Sequence, residues 1–292
     1  MLKCWIEAMR LRTLPVSVAG LIAAVGYAVA AGRCRLLPSV LCLTFAVLAQ
    51  VASNFANEYY DYRDGLDRPG RVGPRRGVTE GDITPRAMLR AVALTLGAAC
   101  LTGLTLLVWG PWWLVIVGVA IAAGVLAYSA GPYPLSRHGL GEVAVIFFFG
   151  IIPVNFTYLL ATGQAPDAAV VAGSVAIGLM GANVLIVNNY RDRDEDMAVG
   201  KRTLAVIIGA RGASTLYLIN GYVAVVLLVP TWSPMPEWSW VVPAVYASVH
   251  TALWRALTTR RSQALNPLLG MTSVNMLVYS LLWIATAFAC GR

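Results

Sequence analysis

Long apolar runs separated by short polar segments dominate this chain. The runs fall at 13–31, 36–56, 88–108, 112–130, 141–161, 168–188, 213–230, 239–257 and 268–289. Each is about twenty residues, the length an α-helix needs to cross a hydrocarbon core of roughly 30 Å. Gly, Ala and Ser recur inside them, as expected where helices approach closely without a hydrophobic driving force between them. The pattern predicts an all-α membrane protein of about nine transmembrane helices in one bundle. No polar stretch is long enough to fold separately, so residues 1–292 read as a single polytopic domain.

Composition agrees and narrows the choices. Of 292 residues, 58% are hydrophobic and 12% charged, with a mean hydropathy of +0.69. Soluble domains carry about a quarter charged residues, so this chain needs lipid to cover it. The first run has basic flanks but no small-residue cleavage site, and reads as a retained helix rather than a signal peptide. Five cysteines lie scattered without CxxC spacing, which points away from a disulfide framework or a zinc site. Neither His138 nor His250 has a second His or Cys at ligand spacing.

A net charge of +8 raises the question of a nucleic-acid partner, and its distribution answers it. With the N-terminus in the cytoplasm and nine spans alternating, nineteen of the 22 basic residues fall on the cytoplasmic side, and Arg33, Arg35 and Arg292 are the exceptions. The bias is the topological signature of a multi-pass protein of the cytoplasmic (inner) membrane, and no nucleic acid is expected. Acids are just as uneven. Of fourteen, only Asp167 and Glu237 fall on the outer side, and most gather in Glu58–Asp82 and Asp192–Asp196.

The first acidic cluster runs from Asn54 through Asn57, Glu58, Asp61 and Asp64 to Asp67, beginning inside the second span. Asn57 and Asp61 are four apart and share a helix face. Gly65 is expected to end the helix, letting Asp64 or Asp67 turn back toward the same point. The second cluster, at the end of the sixth span, sets Asn188, Asp192 and Asp196 in an i, i+4, i+8 stripe, with Asp194 pointing to solvent. Mg²⁺ takes hard oxygen ligands and binds through one or two carboxylates plus substrate phosphates. Two carboxylate stripes on facing helices therefore suit a diphosphate bridged by metal, which offsets charge on the departing group. The plainer reading, solvated charges at helix ends, fits one cluster better than two on the same side. Ionisable residues at membrane depth are functional by default.

Basic loops follow each cluster. Arg71, in the Gly- and Pro-rich segment 68–77, and Lys201 and Arg202, in Gly200–Leu204, are candidates to hold phosphate oxygens. A third loop, Tyr128 to Leu135, continues to Gly139-Leu140-Gly141-Glu142 and could cover the site or position an acceptor ring. Tyr128 is the candidate for lining the reacting region.

Taken together, these motifs resemble the UbiA superfamily of intramembrane prenyltransferases. The resemblance rests on Arg12-Thr13-Leu14-Pro15, Asn57 to Asp67, Gly73-Pro74-Arg75-Arg76-Gly77, Gly81-Asp82-Ile83-Thr84-Pro85 and Gly139 to Glu142. It continues through Asn188-Asn189-Tyr190-Arg191-Asp192, Gly200 to Leu204 and Asn266-Pro267, over nearly the whole chain. Within the superfamily the chain is most similar to the branch that prenylates 1,4-dihydroxy-2-naphthoate for menaquinone synthesis. The resemblance implies a bundle around a central cavity and Mg²⁺-dependent transfer of a polyprenyl group from its diphosphate to a ring carbon. The naphthoate would lose its carboxylate in the process, leading to demethylmenaquinone. It also implies Asn57, Asp61, Asp67, Asp192 and Asp196 as metal-side residues, with Asn188 on the substrate side. One departure stands out: the superfamily's first motif would place an acid at position 65, where this chain has Gly65, leaving Asp64 and Asp67 as alternatives.

Other readings compete. A CDP-alcohol phosphotransferase would share Asp61-Tyr62-Arg63-Asp64-Gly65, but its downstream acids are missing. A secondary transporter would place carboxylates near mid-membrane, whereas here they sit at helix ends. Within the superfamily, 4-hydroxybenzoate or homogentisate is an alternative acceptor.

Overall fold

Helix signals along the chain are realised nearly where the apolar runs place them. The computed structural model describes residues 2–67 and 73–290, and among them there are helices and turns but no strand. In chain order the helices are α1 (Leu2–Met9), α2 (Leu14–Ala30), α3 (Leu36–Arg63), α4 (Pro85–Thr105) and α5 (Leu114–Ala127). They continue with α6 (Gly141–Val145), α7 (Ile152–Thr162), α8 (Ala168–Ala198), α9 (Leu204–Leu227), α10 (Val229–Trp232), α11 (Val241–Thr259) and α12 (Asn266–Ala289). Each of the nine apolar runs coincides with one of these or, for 141–161, with α6 and α7 joined by a wide π turn over Ile146–Ile151.

Local chemistry explains several boundaries. Thr84 accepts a hydrogen bond from the Ala87 amide (3.2 Å) and Pro85 opens α4, where its missing N–H costs nothing. Asp167 caps α8 through the Val170 amide (2.9 Å). The π turn directly precedes Pro153, whose ring cannot donate to the carbonyl one turn back.

Among the described residues, six helices are long and apolar enough to cross a bilayer, and a seventh if α1 and α2, bent by 54°, form one span. α5, at 14 residues, is a shorter apolar helix. The expectation of nine spans is thus matched in helices but reduced to six or seven by length and apolarity. Short helices such as α5 reach only part-way unless their neighbours lend thickness.

Burial is asymmetric. α8 is central, with 72% of its apolar window buried, against 17% for α4. α8 packs on α9, α12, α2 and the π turn. The helices come close at Gly150 and Gly178, where a Cβ on Gly150 would overlap the Gly178 backbone. Only paired glycines permit that crossing. On the far side, Leu94 and Leu101 of α4 and Val119 of α5 are largely exposed, as lipid-facing positions should be.

Candidate active site

Both acidic motifs ride on helical extensions beyond the apolar runs. α3 continues to Arg63 and α8 to Ala198, so their i, i+4 stripes survive intact and face one another. A cavity of about 500 Å³ lies between them, lined by Asn57 and Asp61 from α3 and by Asn188, Asp192 and Asp196 from α8. Tyr128 and Lys201 line the same space. The structure therefore brings seven of the sequence-selected residues to one cavity.

Lys201 joins the stripes. Its Nζ lies 3.0 Å from Asp61 Oδ2 and 3.9 Å from Asp196 Oδ1. Asp61 is 1% exposed and also faces Arg137 Nη2 at 3.4 Å. Arg137 donates to Asp64 Oδ2 (2.6 Å) and to the Ser129 carbonyl (3.2 Å). The Arg202 backbone N–H in turn donates to the Arg137 carbonyl (3.1 Å). Two loops distant in sequence are thereby tied together so that both present a cation to Asp61.

The first stripe is anchored by Asn57, which donates to Ser129 Oγ (3.0 Å) and Asp61 Oδ2 (3.3 Å) and accepts from Arg10 and Arg76. Arg10 holds this position from a left-handed backbone (φ 54°) at the break between α1 and α2, a conformation that costs a non-glycine residue of order 1 kcal/mol or more. In the second stripe Arg191 forks onto its own neighbour, with Nε–Asp192 Oδ1 at 2.6 Å and Nη2–Asp192 Oδ2 at 2.7 Å. It also reaches Asn188 Oδ1 (2.9 Å) and Asn266 Oδ1 (3.1 Å).

Gly65 ends α3 with φ +70°, and the chain folds back so that the Leu66 and Asp67 amides donate to the Asp61 carbonyl. This turn leaves neither alternative acid on the cavity wall. Asp64 pairs with Arg63 and Arg137, and Arg63's guanidinium holds its carboxyl below the usual range. Asp67 is buried against Arg76 Nε at 3.1 Å, and it is Arg76 that lines the cavity. Asp194 is exposed. Arg202 is exposed and does not line the cavity, and Arg71 lies outside the described residues.

Arg76 belongs to the basic segment 68–77 already read as phosphate-facing, but Arg10, Arg137 and Arg191 carry no individual role in the sequence reading. Arg191 had a signal, since it lies within the second motif beside Asp192. Arg10, 47 residues from Asn57, and Arg137, 76 residues from Asp61, had none.

A second cavity, about 490 Å³ and almost wholly apolar, adjoins the first. It runs between α3, α4, α5 and the π turn, and shares Gln50, Ser53, Tyr128, Val145 and Phe149 with the polar cavity. Tyr128 thus stands at the junction of a charged chamber and a greasy one.

Among the described residues, no three His, Cys, Asp or Glu side chains converge into a ready metal cage. Carboxylates and amide oxygens from both stripes nonetheless line one cavity. That donor set suits Mg²⁺ arriving with substrate phosphates.

Residues 19–281 match the UbiA prenyltransferase family. The chain belongs to the UbiA prenyltransferase family. Among its UbiA relatives, the 1,4-dihydroxy-2-naphthoate octaprenyltransferase of Escherichia coli K12 is 31% identical, over 98% of this chain and 95% of that protein. The enzyme of the same name from Mycobacterium tuberculosis is 34% identical, over 99% and 97%. A UbiA homolog from Archaeoglobus fulgidus bound to DMAPP and Mg²⁺ shares the fold at 16% identity, with a TM-score of 0.68 over 96% of this chain and 99% of that one. The UbiA fold therefore extends over nearly the whole molecule.

Proposed function

We propose that this UbiA enzyme transfers a polyprenyl group from its diphosphate to 1,4-dihydroxy-2-naphthoate, in a Mg²⁺-dependent step of menaquinone synthesis. The single observation that carries the reading is the pair of adjoining cavities: opposed carboxylate stripes in one, apolar walls in the other, meeting at Tyr128. The choice of acceptor rests on the relatives' names and their full-length similarity.

The diphosphate lies between the stripes, and the tail extends into the apolar cavity. Asp61, Asp192 and Asp196, with the neighbouring Asn57 and Asn188, would hold Mg²⁺, which would supply positive charge to offset that of the leaving diphosphate. Lys201 and Arg191 already stand among those carboxylates and turn to phosphate oxygens when substrate enters. Arg71, assigned to the same anion by its sequence position alone, completes the cationic set, whereas Arg202, exposed and off the cavity wall, does not. Asp67 acts at one remove, by fixing Arg76. The C1–O bond breaks with its electron pair leaving on the diphosphate. The ring carbon bearing the carboxylate forms the new C–C bond, and CO₂ departs to restore aromaticity, so the product is the reduced form of demethylmenaquinone. Tyr128, Val145 and Phe149 exclude water that would otherwise capture the allylic cation.

The protein acts as a multi-pass protein of the cytoplasmic membrane, with nine helical segments in the bundle and the N-terminus and site mouth on the basic, cytoplasmic side. The test is a mass-resolved assay of the purified protein in lipid with Mg²⁺, prenyl diphosphates and several aromatic acceptors. Naphthoate prenylation with CO₂ release is expected, and Asp61→Ala and Asp192→Ala should each lower it by about 10³-fold. Preference for 4-hydroxybenzoate or homogentisate would replace the acceptor, and full activity in both variants would remove the site.

A further inference from the structure

Behind the wall of the polar cavity sits a carboxylate that the transfer step does not use. Glu142 opens α6, is 4% exposed, and lines neither cavity. Its Oε1 accepts from Asn189 Nδ2 at 2.8 Å, and its Oε2 is buried with no hydrogen-bond partner among the described residues. Asn189 does line the polar cavity. The pairing is set by the glycine crossing of Gly150 with Gly178, which draws α6 and the π turn onto α8.

Because the Asn189 NH₂ donates to Glu142, its carbonyl oxygen faces the other way. Glu142 thus decides which end of the amide the cavity meets. The level is informative too. Leu185, four residues before Asn189 and on the same face of α8, also lines the cavity. A side chain on Gly141 would press on Leu185 at 3.0 Å and stand 3.6 Å from Tyr128 Oη. Leu185 therefore lies beside Tyr128, and Asn189 stands one helical turn further along α8, on the charged side of that junction.

Several polar groups elsewhere on this wall are already engaged, although the Ser136 and Thr203 hydroxyls, nearer the loop mouth in sequence, have no hydrogen-bond partner among the described residues. Asp61 and Asp192 are held by Lys201, Arg137 and Arg191. Gln50 Oε1 accepts from Ser17, and Asn54 Oδ1 from Gln50. The cationic donors suit a diphosphate, whereas a ring hydroxyl is a donor and needs an acceptor.

We propose that the Asn189 side-chain carbonyl, oriented by Glu142, receives a hydroxyl of the aromatic acceptor and sets which ring enters. This rests on the prenyl-transfer reading and deepens it. Donation from the hydroxyl raises electron density at the ortho ring carbon, the position that attacks. Glu142 is a positioning residue acting through Asn189.

The full-length protein in lipid is assayed with the naphthoate and a prenyl diphosphate varied separately. Glu142→Gln lets the amide turn either way, and Asn189→Ala removes it. Each should raise the acceptor KM about tenfold, the worth of one hydrogen bond to a polar group, and leave the prenyl diphosphate KM unchanged. The double variant Glu142→Gln with Asn189→Asp restores a donor–acceptor pair in reverse, with a carboxylate oxygen on the cavity side. It should bring the acceptor KM back toward that of the native protein. If Asn189→Ala fails to fold, the two near-isosteric variants carry the test. An unchanged acceptor KM, a parallel rise in both KM values, or a double variant no better than Glu142→Gln would overturn the proposal. Activity of the native protein on a different phenolic ring, with the same KM pattern, would retire the naphthoate while leaving the Asn189 assignment standing.

Discussion

The two carboxylate stripes do the same geometric task by different means. The α8 stripe is nearly self-contained: Asp192 is gripped in bidentate fashion by the adjacent Arg191, which also reaches Asn188 one turn back. The α3 stripe is assembled from afar, since Asp61 depends on Arg137 and Lys201 and Asn57 on Arg10, all brought in from other segments. One stripe is a property of a helix and the other of the bundle. A change at Arg191 should therefore act locally and strongly, while changes around Asp61 should be shared among several cations.

The largest contrast is expected at Arg191. Arg191→Lys keeps the charge but loses the fork, and kcat/KM for the prenyl diphosphate should fall about 10²-fold. Steady-state kinetics in lipid check this, and near-native activity would show that the local grip is dispensable. Arg137→Gln should cost less, about fivefold, because Lys201 still faces Asp61; the loss expected is about that of one hydrogen bond to a charged group, softened by the remaining partner. A deeper loss than in Arg191→Lys would reverse the comparison.

Gly178→Val tests the crossing beneath both stripes. Its Cβ would meet the Ile146 carbonyl at 2.8 Å, and overpacking of this kind costs about 1–3 kcal/mol. Thermal unfolding in detergent measures it, and an unchanged midpoint would mean the helices separate freely. Asp64→Asn should have the smallest effect, below about 1 kcal/mol for a partly exposed pair. Because Arg63 and Arg137 lower the Asp64 pKa, its contribution is full above the ordinary carboxylate value and disappears as pH falls through the folded one. Melting curves of the native protein and Asp64→Asn should thus differ at neutral pH and converge in acid. Parallel curves across that range would show that the Asp64 pairing with Arg63 and Arg137 adds nothing to stability.

Much of this was readable from the chain. Nine apolar runs marked the long helices, though not the short α1, and the four-residue spacing of Asn57 with Asp61, and of Asn188, Asp192 and Asp196, placed them on common faces that the helices preserve. Helical periodicity is local, so spacing carries it. Gly65 likewise announced the end of α3 through its conformational freedom. The spacing did not reveal which acid follows that turn into the cavity; neither Asp64 nor Asp67 does, because Arg137 and Arg76 capture them first.

Helix identity, topology bias and the two stripes follow from short-range pattern and from the cost of placing polar groups in lipid. Partnership does not, because it depends on how closely helices cross. Paired glycines at 150 and 178 draw α6 against α8 and so set Glu142 on Asn189, and a loop–loop hydrogen bond aims Arg137 and Lys201 at one carboxylate. Ion pairs and amide orientations are settled at distances of about 3 Å, and only the packed bundle brings residues so far apart in the chain that close.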